Sequence, residues 1–368
     1  MKNYTHNPQV KNTKKKLINL KKCEVCFSKN IEPFINHGRT GSNYEYGKLP
    51  ICICNECGLK FLSPRRSNKY YLEYYRKFYR AKTKNNIQIN KTYLKSQINR
   101  GKKIFDFFEK KMKFKVKEKF FLDHGCAMGL TMIPWRSKGW NVTGLDPNIE
   151  SVNYAKKKYN LKIISAFGEN LSKQKHKFNI VLSLGSLEHS FDIIKTMQKI
   201  VENTSDNAYL IIRWRSNNLI GSPLEYYNHN HFRYFNRFSW KVLFTKFGFN
   251  KISFFKDSIE GNDGYEYILA KKTGKNSSLK KFKKKLSSLN VGKLEKNYMK
   301  YYFHQYTVLS HKIKKLKNKK FLNNYNSKIN FIKKNKIGLI NEKNNKKSVN
   351  RFFIETNKFL KFKYQNEI

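Results

Sequence analysis

Two cysteine pairs carry the clearest chemical signal in the chain. Cys23-Glu-Val-Cys26 and Cys54-Asn-Glu-Cys57 each space two thiolates to reach one ion, and 27 residues separate the pairs. Two such turns facing each other close a tetrahedral four-thiolate site, the usual surroundings of structural zinc, with no position left open for catalysis. Gly58 follows the second pair and supplies the left-handed residue that such a knuckle needs. A disulfide is disfavoured in a chain without a secretion signal, and a redox CxxC is disfavoured because there are two. Cys52 is a spare thiol beside the set.

A second constellation is built for a nucleotide. Leu122-Asp123-His124-Gly125-Cys126-Ala127-Met128-Gly129 follows a predicted strand and opens a predicted helix. Small residues in such a turn let backbone N–H groups approach a ligand closely. Seventeen residues after Gly129 lies Asp146, in Gly144-Leu145-Asp146-Pro147. An acid at the tip of the second strand is where a doubly wound fold binds the hydroxyls of a ribose. His124 reads as a strand-end core residue, and Ala127 fits the turn if its φ is negative.

These residues need a scaffold, and the pattern from about 101 to 272 provides one. Ile104, Phe107, Phe108 and Met112 recur at helical spacing, and 119–125, 141–147, 161–165, 178–184 and 208–214 read as strands. Helices are predicted over 149–159 and 191–202. Trp240, Leu243, Phe244 and Phe247 mark another, with Asn236 or Ser239 as N-cap and Gly248 as its stop. Strands at 252–258 and 265–272 close the region as a hairpin. Alternation of this kind implies an α/β fold, a parallel doubly wound sheet with helices on both faces. Composition divides the chain into a cysteine-rich lobe with an aromatic helix (20–80), this domain (81–274) and a Lys-rich helical extension (275–368).

The chain has 368 residues with 77 Lys+Arg against 25 Asp+Glu, a formal +52, yet 39% of it is apolar and 15% aromatic. That excludes a disordered polycation. No run of about 18 apolar residues occurs and the N-terminus lacks an apolar leader, so a cytoplasmic chain without a membrane span is expected. The charge invites nucleic acid as a partner, but 65 of the basic residues are Lys and they are spread over every region. The extension, with 26 basic and 4 acidic residues, suits an anionic surface, a docking partner or plain solvation. Arg remaining in a Lys-rich chain hints at a need for bidentate geometry. Arg213, Arg215, Arg233 and Arg237 lie within 25 residues. They either bind a diphosphate or carboxylate beside Tyr226 and Tyr227, or fix that loop by pairing Arg215 or Arg237 with Glu225.

Residues 100–272 resemble the class I S-adenosylmethionine-dependent methyltransferases. LDHGCAMG is similar to their glycine-rich first motif and GLDP to their ribose-binding acid; FNIVLSLGSLEHSFD is similar to their fourth strand and acceptor-side turn. Ala127 replaces the usual second Gly, and Asn179 the usual Asp. The resemblance implies a Rossmann-like sheet and S-adenosylmethionine as cofactor. Asp123, Gly125, Ala127, Gly129 and Asp146 would hold it, with Phe167 either on the adenine face or packed in the core. Joined to the cysteine lobe, the domain resembles the zinc-ribbon sugar methyltransferases of bacterial glycan and deoxysugar pathways. That family's Glu-His pair corresponds to Asn230-His231, so the His is matched and the Glu is not.

The resemblance implies a small-molecule or glycan acceptor of surface polysaccharide synthesis. A hydroxyl acceptor benefits from a general base; His231 is the first choice, then His229, then Glu188-His189. Arg213, Arg215, Tyr226 and Arg233 are the candidate acceptor-binding residues. The rival readings are an RNA methyltransferase that grips phosphates with its zinc lobe and basic extension, and a non-catalytic binding module.

Overall fold

The computed structural model describes residues 17–35, 51–78, 91–112, 119–216, 231–262, 264–274, 291–293 and 295–296. Its centre is a seven-stranded sheet. Strands β6 (Phe120–His124), β7 (Asn141–Leu145), β8 (Ile163–Ile164), β9 (Phe178–Leu184), β10 (Thr204–Arg215), β12 (Phe249–Lys256) and β13 (Tyr265–Lys272) lie in the order β8-β7-β6-β9-β10-β13-β12. The first five run parallel. β13 inserts antiparallel between β10 and β12, which is the closing hairpin read from the sequence. Ile180, Val181 and Leu182 of β9 are buried, as a central strand covered on both faces requires. This is the Rossmann-like order of the class I methyltransferase fold.

Local signals set the flanking helices. A helix over Lys91–Met112 precedes β6 and buries Ile104, Phe105 and Phe108. Asn148 caps the helix Ile149–Tyr159 by accepting from the Ser151 amide at 2.9 Å. Of the two candidate caps of the helix Arg237–Lys246, Asn236 is the N-cap and Ser239 its reciprocal partner in a capping box. The helix expected after Gly129 is short, a 3-10 turn at Leu130–Met132 and one α-turn at Ile133–Ser137, with Pro134 in its first turn. The aromatic helix also differs from expectation: its α part, Asn68–Glu73, runs into a π-helical turn at Tyr74–Phe78.

The cysteine lobe is not a separate bead. Its strands β2 (Ile31–Ile35), β3 (Ile51–Cys54) and β4 (Lys60–Leu62) form a four-stranded sheet whose fourth member, β11 (Arg233–Tyr234), comes from the middle domain. Cys54, Cys57, Leu59 and Phe61 share one buried cluster with Leu122, Val181, Trp240 and Val291. Val291 belongs to the Lys-rich extension, and its neighbour Gly292 donates to the Asn55 carbonyl at 3.1 Å. Lys60, 0% exposed, pairs with Glu295, 2% exposed. Among the described residues no helix is long and apolar enough to cross a membrane.

A buried charge left without its partner is far costlier than an apolar pair of similar size. Lys60→Met alone should therefore destabilise the protein by about 3 kcal/mol in denaturant unfolding, and adding Glu295→Leu should recover most of the loss. Additive losses would show that the pair contributes no coupling.

Candidate functional site

The four cysteines converge. The Sγ atoms of Cys23, Cys26, Cys54 and Cys57 all lie within 4.8 Å of one another, with Cys23 and Cys57 3.7 Å apart and Cys26 and Cys54 3.4 Å apart. The two knuckles repeat one geometry: the Phe27 amide donates to the Cys23 carbonyl at 3.0 Å, and the Gly58 amide to the Cys54 carbonyl at 2.9 Å. Both turns need φ near +65°, at +65° for Phe27 and +69° for Gly58. Phe27 holds this unfavourable conformation under the Lys246 ammonium, 3.2 Å from its ring centroid. Four sulfurs so placed, three of them on fully buried residues, fit a tetrahedral thiolate-bound ion. Cys52 lies outside the set and points its sulfur at the Ser63 carbonyl.

The nucleotide-type turn lies at the carboxyl ends of β6 and β7. Asp146 accepts from the Ala127 amide at 2.8 Å through Oδ2 and from the Asn148 amide at 2.9 Å through Oδ1. This ties the small-residue turn to the tip of the second strand. Ala127 has φ +50°, so the negative value on which its fit to the turn is conditional is not met, and its amide is the one bound by Asp146. Gly125 is required by close approach, since a Cβ there would lie 2.4 Å from that of Ser186. Asp123 is 2% exposed and accepts from Thr131 Oγ1 at 2.6 Å. Burial pushes its carboxyl up to about 7, against the Thr131 bond and distant Arg100. His124 is a core residue, buried and pushed down to about 4, with Ser186 Oγ 3.1 Å from its Nδ1. Phe167 sits beyond β8 with the Arg76 guanidinium 5.9 Å from its ring centroid.

Around the turn after β9 the structure brings together three of the four candidate catalytic residues. The rings of His189 and His231 are 4.4 Å apart and nearly perpendicular, and Glu188 and His231 line one narrow cavity with Arg215, Trp214 and Tyr234. Burial pushes Glu188 up to about 7, against a backbone hydrogen bond and then the charge of Arg213. Among the described residues, Glu188 Oε2 and Trp214 Nε1 have no hydrogen-bond partner. His229 and Tyr226 lie outside the described residues, as do Tyr227 and Glu225. Tyr75 joins this group, its hydroxyl 3.0 Å from His189 Nδ1. Its place in an aromatic run, next to Tyr74 and before Arg76, looked like packing in the sequence.

The arginine cluster divides. Arg213 pairs with Asp257 at 2.8 Å and Glu260 at 3.2 Å beneath the Tyr265 ring, 3.7 Å away. Arg237 forms a fork with Glu266, at 2.9 and 3.1 Å. Arg233, fully enclosed, donates to Glu24 and to the Ser190 carbonyl, both at 2.5 Å. Glu24 also receives Arg65 through two bonds of 2.9 and 3.0 Å. Burial pushes Glu24 upward, but Arg233 and Arg65 outweigh it and its carboxyl titrates below the ordinary range. Arg213 is thus turned to carboxylates, while Arg233 is held by Glu24 and also lines the cavity of Glu188 and His231. Arg215, half-buried, lines the cavity.

Residues 96–253 match the family model described as a methyltransferase domain. No curated protein matches the chain. Among solved structures, it is similar to the plantazolicin methyltransferase BpumL in complex with SAH, at 14% identity and TM-score 0.42 over 55% of this chain and 94% of that one. An S-adenosylmethionine-dependent methyltransferase from Thermotoga maritima gives 15% identity and TM-score 0.38, covering 50% of this chain and 96% of that one. One from Archaeoglobus fulgidus gives 14% and 0.39, covering 50% and 100%. The matched residues run from the helix before β6 into β12 and so take in the five parallel strands and the nucleotide-type turn.

Two outcomes follow from the geometry. The purified chain should carry one zinc, and Cys57→Ala or exhaustive chelation should lower Tm by roughly 10 °C or more, since so small a lobe depends on its metal. A metal-free protein with unchanged Tm would refute the centre. Glu188 binds a proton in the folded chain over the window from its unfolded pKa, about 4.3, to about 7, so its burial lowers stability as pH rises through that window. Glu188→Gln should flatten the fall in unfolding free energy between pH 5 and 8 by about 1–3 kcal/mol. Parallel profiles for variant and wild type would refute the buried acid.

Proposed function

We propose that the chain is an S-adenosylmethionine-dependent methyltransferase that methylates a sugar, nucleotide-sugar or glycan intermediate of surface polysaccharide synthesis, with structural zinc in its cysteine lobe. The observation that carries this reading is the juxtaposition of His231 with Glu188 and His189 of the turn after β9, whose Ser186 meets His124 at the end of β6. Sugar hydroxyls do not ionise near neutral pH, so an acceptor of that class calls for a base. The sugar methyltransferases that this chain resembles have a Glu beside their His, and Asn230 takes that place here. Glu188, reaching the His231 cavity from the turn after β9, supplies a carboxyl by another route.

The residues at the nucleotide turn fit the cofactor in chemistry. Asp146 would present its carboxylate to the ribose hydroxyls, and Asp123 would offer a carboxyl to an amino group. When bound, S-adenosylmethionine supplies a methyl group made electrophilic by its sulfonium. His231 takes the proton of the attacking hydroxyl, and ionised Glu188 across the cavity stabilises the imidazolium that results. Arg215 stands at the same cavity to meet an anionic group of the acceptor. Enclosure by Tyr234 and Trp214 excludes water and holds the nucleophile in line, the main requirement of a displacement at carbon.

Calorimetry should detect SAH binding to the wild type, and Asp146→Ala should weaken it tenfold or more, about 1.4 kcal/mol. Radiolabelled methyl transfer should reach a member of a nucleotide-sugar panel, and His231→Ala should lower kcat about 100-fold with SAH affinity unchanged. Label appearing in RNA and in no sugar would overturn the acceptor class. SAH binding without transfer to any acceptor would favour a binding module.

A further inference from the structure

The π-helical turn Tyr74–Phe78 belongs to the cysteine lobe's connecting segment, yet consecutive residues of it reach the two halves of the crevice. Tyr75 places its hydroxyl 3.0 Å from His189 Nδ1, and the His189 ring in turn abuts His231. Arg76, exposed at its head, lies over Phe167 with its guanidinium carbon 5.9 Å from the ring centroid. Its carbonyl accepts from the Asn148 side chain at 3.3 Å. Asn148 is the residue whose amide is bound by Asp146, so the turn is tethered to the carboxylate at the nucleotide end. π-Turns are costly in a helix and recur at functional sites.

We propose that this turn couples the cofactor half of the site to the acceptor half, with Arg76 covering the nucleoside side at Phe167 and Tyr75 positioning the His189 imidazole. The inference rests on the cofactor assignment proposed above. An adenine seated at Phe167 takes the face that Arg76 now covers, so the guanidinium either stacks on the base or gives way to it. A displaced guanidinium transmits its movement through a backbone whose preceding Cα, about 3.8 Å away, carries Tyr75. Cofactor occupancy thereby changes contacts on both sides of the turn, the differential interaction that coupling requires. Both are positioning residues, since neither needs to touch the transferred group.

Imidazole NMR of the full chain, with His189 assigned through His189→Gln, reads this without any acceptor. Saturating SAH should shift the His189 ring resonances of the wild type. Arg76→Ala should weaken SAH binding three- to tenfold and abolish most of that shift; Arg76→Lys, which keeps a cation without the planar face, should fall between. Tyr75→Phe should bind SAH within about twofold of wild type and lose the shift. If SAH binds the wild type while His189 does not respond, or Arg76→Ala matches the wild type in affinity and shift, the coupling is overturned and the cofactor assignment stands. Failure of the wild type to bind SAH overturns both.

Discussion

Glu24, one residue after the first cysteine of the metal set, accepts from two enclosed guanidiniums, Arg65 and Arg233, and the geometry of the acceptor side follows from that contact. Arg233 opens β11, the two-residue strand that pairs with β4 of the cysteine lobe. His231 lies two residues before it. The carboxylate therefore locks the segment carrying His231 onto the knuckle, while the other end of the Arg233 guanidinium is held by the Ser190 carbonyl, directly after His189. One ion-paired centre fixes both histidines from opposite sides. An enclosed carboxylate shared by two cations is costly to remove singly, so the cysteine lobe acts as part of the site's foundation.

That arrangement bears on what the arginines reveal in the sequence. A chain with 65 Lys and 12 Arg keeps Arg where a planar fork is needed, and Arg65, Arg213, Arg233 and Arg237 each meet a carboxylate at short range. The need for bidentate geometry was visible in the residue type. The partner was not, because Glu24, Asp257 and Glu266 stand between 29 and 209 positions away in sequence. Exposed ligand and buried carboxylate make the same demand on a guanidinium, and composition cannot distinguish them.

Elements governed by local pattern were legible. The parallel strands announced themselves as short apolar runs, the Asn236 and Ser239 pair held both members of a capping box, and the cysteine spacing fixed its own convergence. What stayed hidden was the non-local pairing: two residues of β11 completing another lobe's sheet, and Val291 and Glu295 docking from a segment whose composition reads as solvated. Tyr75 was hidden for a different reason. An aromatic run at helical spacing predicts packing equally well for each ring, and the π-turn that shifts Tyr75 toward His189 has no marker in the sequence.

The scarcity of acids in a chain of net +52 gives the remaining carboxyls their meaning. With 77 basic residues for 25 acidic ones, a buried carboxylate finds a cation easily, and Glu24, Asp257, Glu266 and Glu295 all do. Asp123 and Glu188 are buried as well and, among the described residues, form no such pair; burial pushes both up to about 7. In so basic a protein, ion pairing would have been the cheap solution at both positions. Burial without an ion pair brings each close to the balance between its charged and neutral forms near neutral pH, one at the end of β6 and the other on the turn after β9. Burial is also how binding and catalytic groups have their pKa values shifted, which makes both carboxyls candidates for such roles.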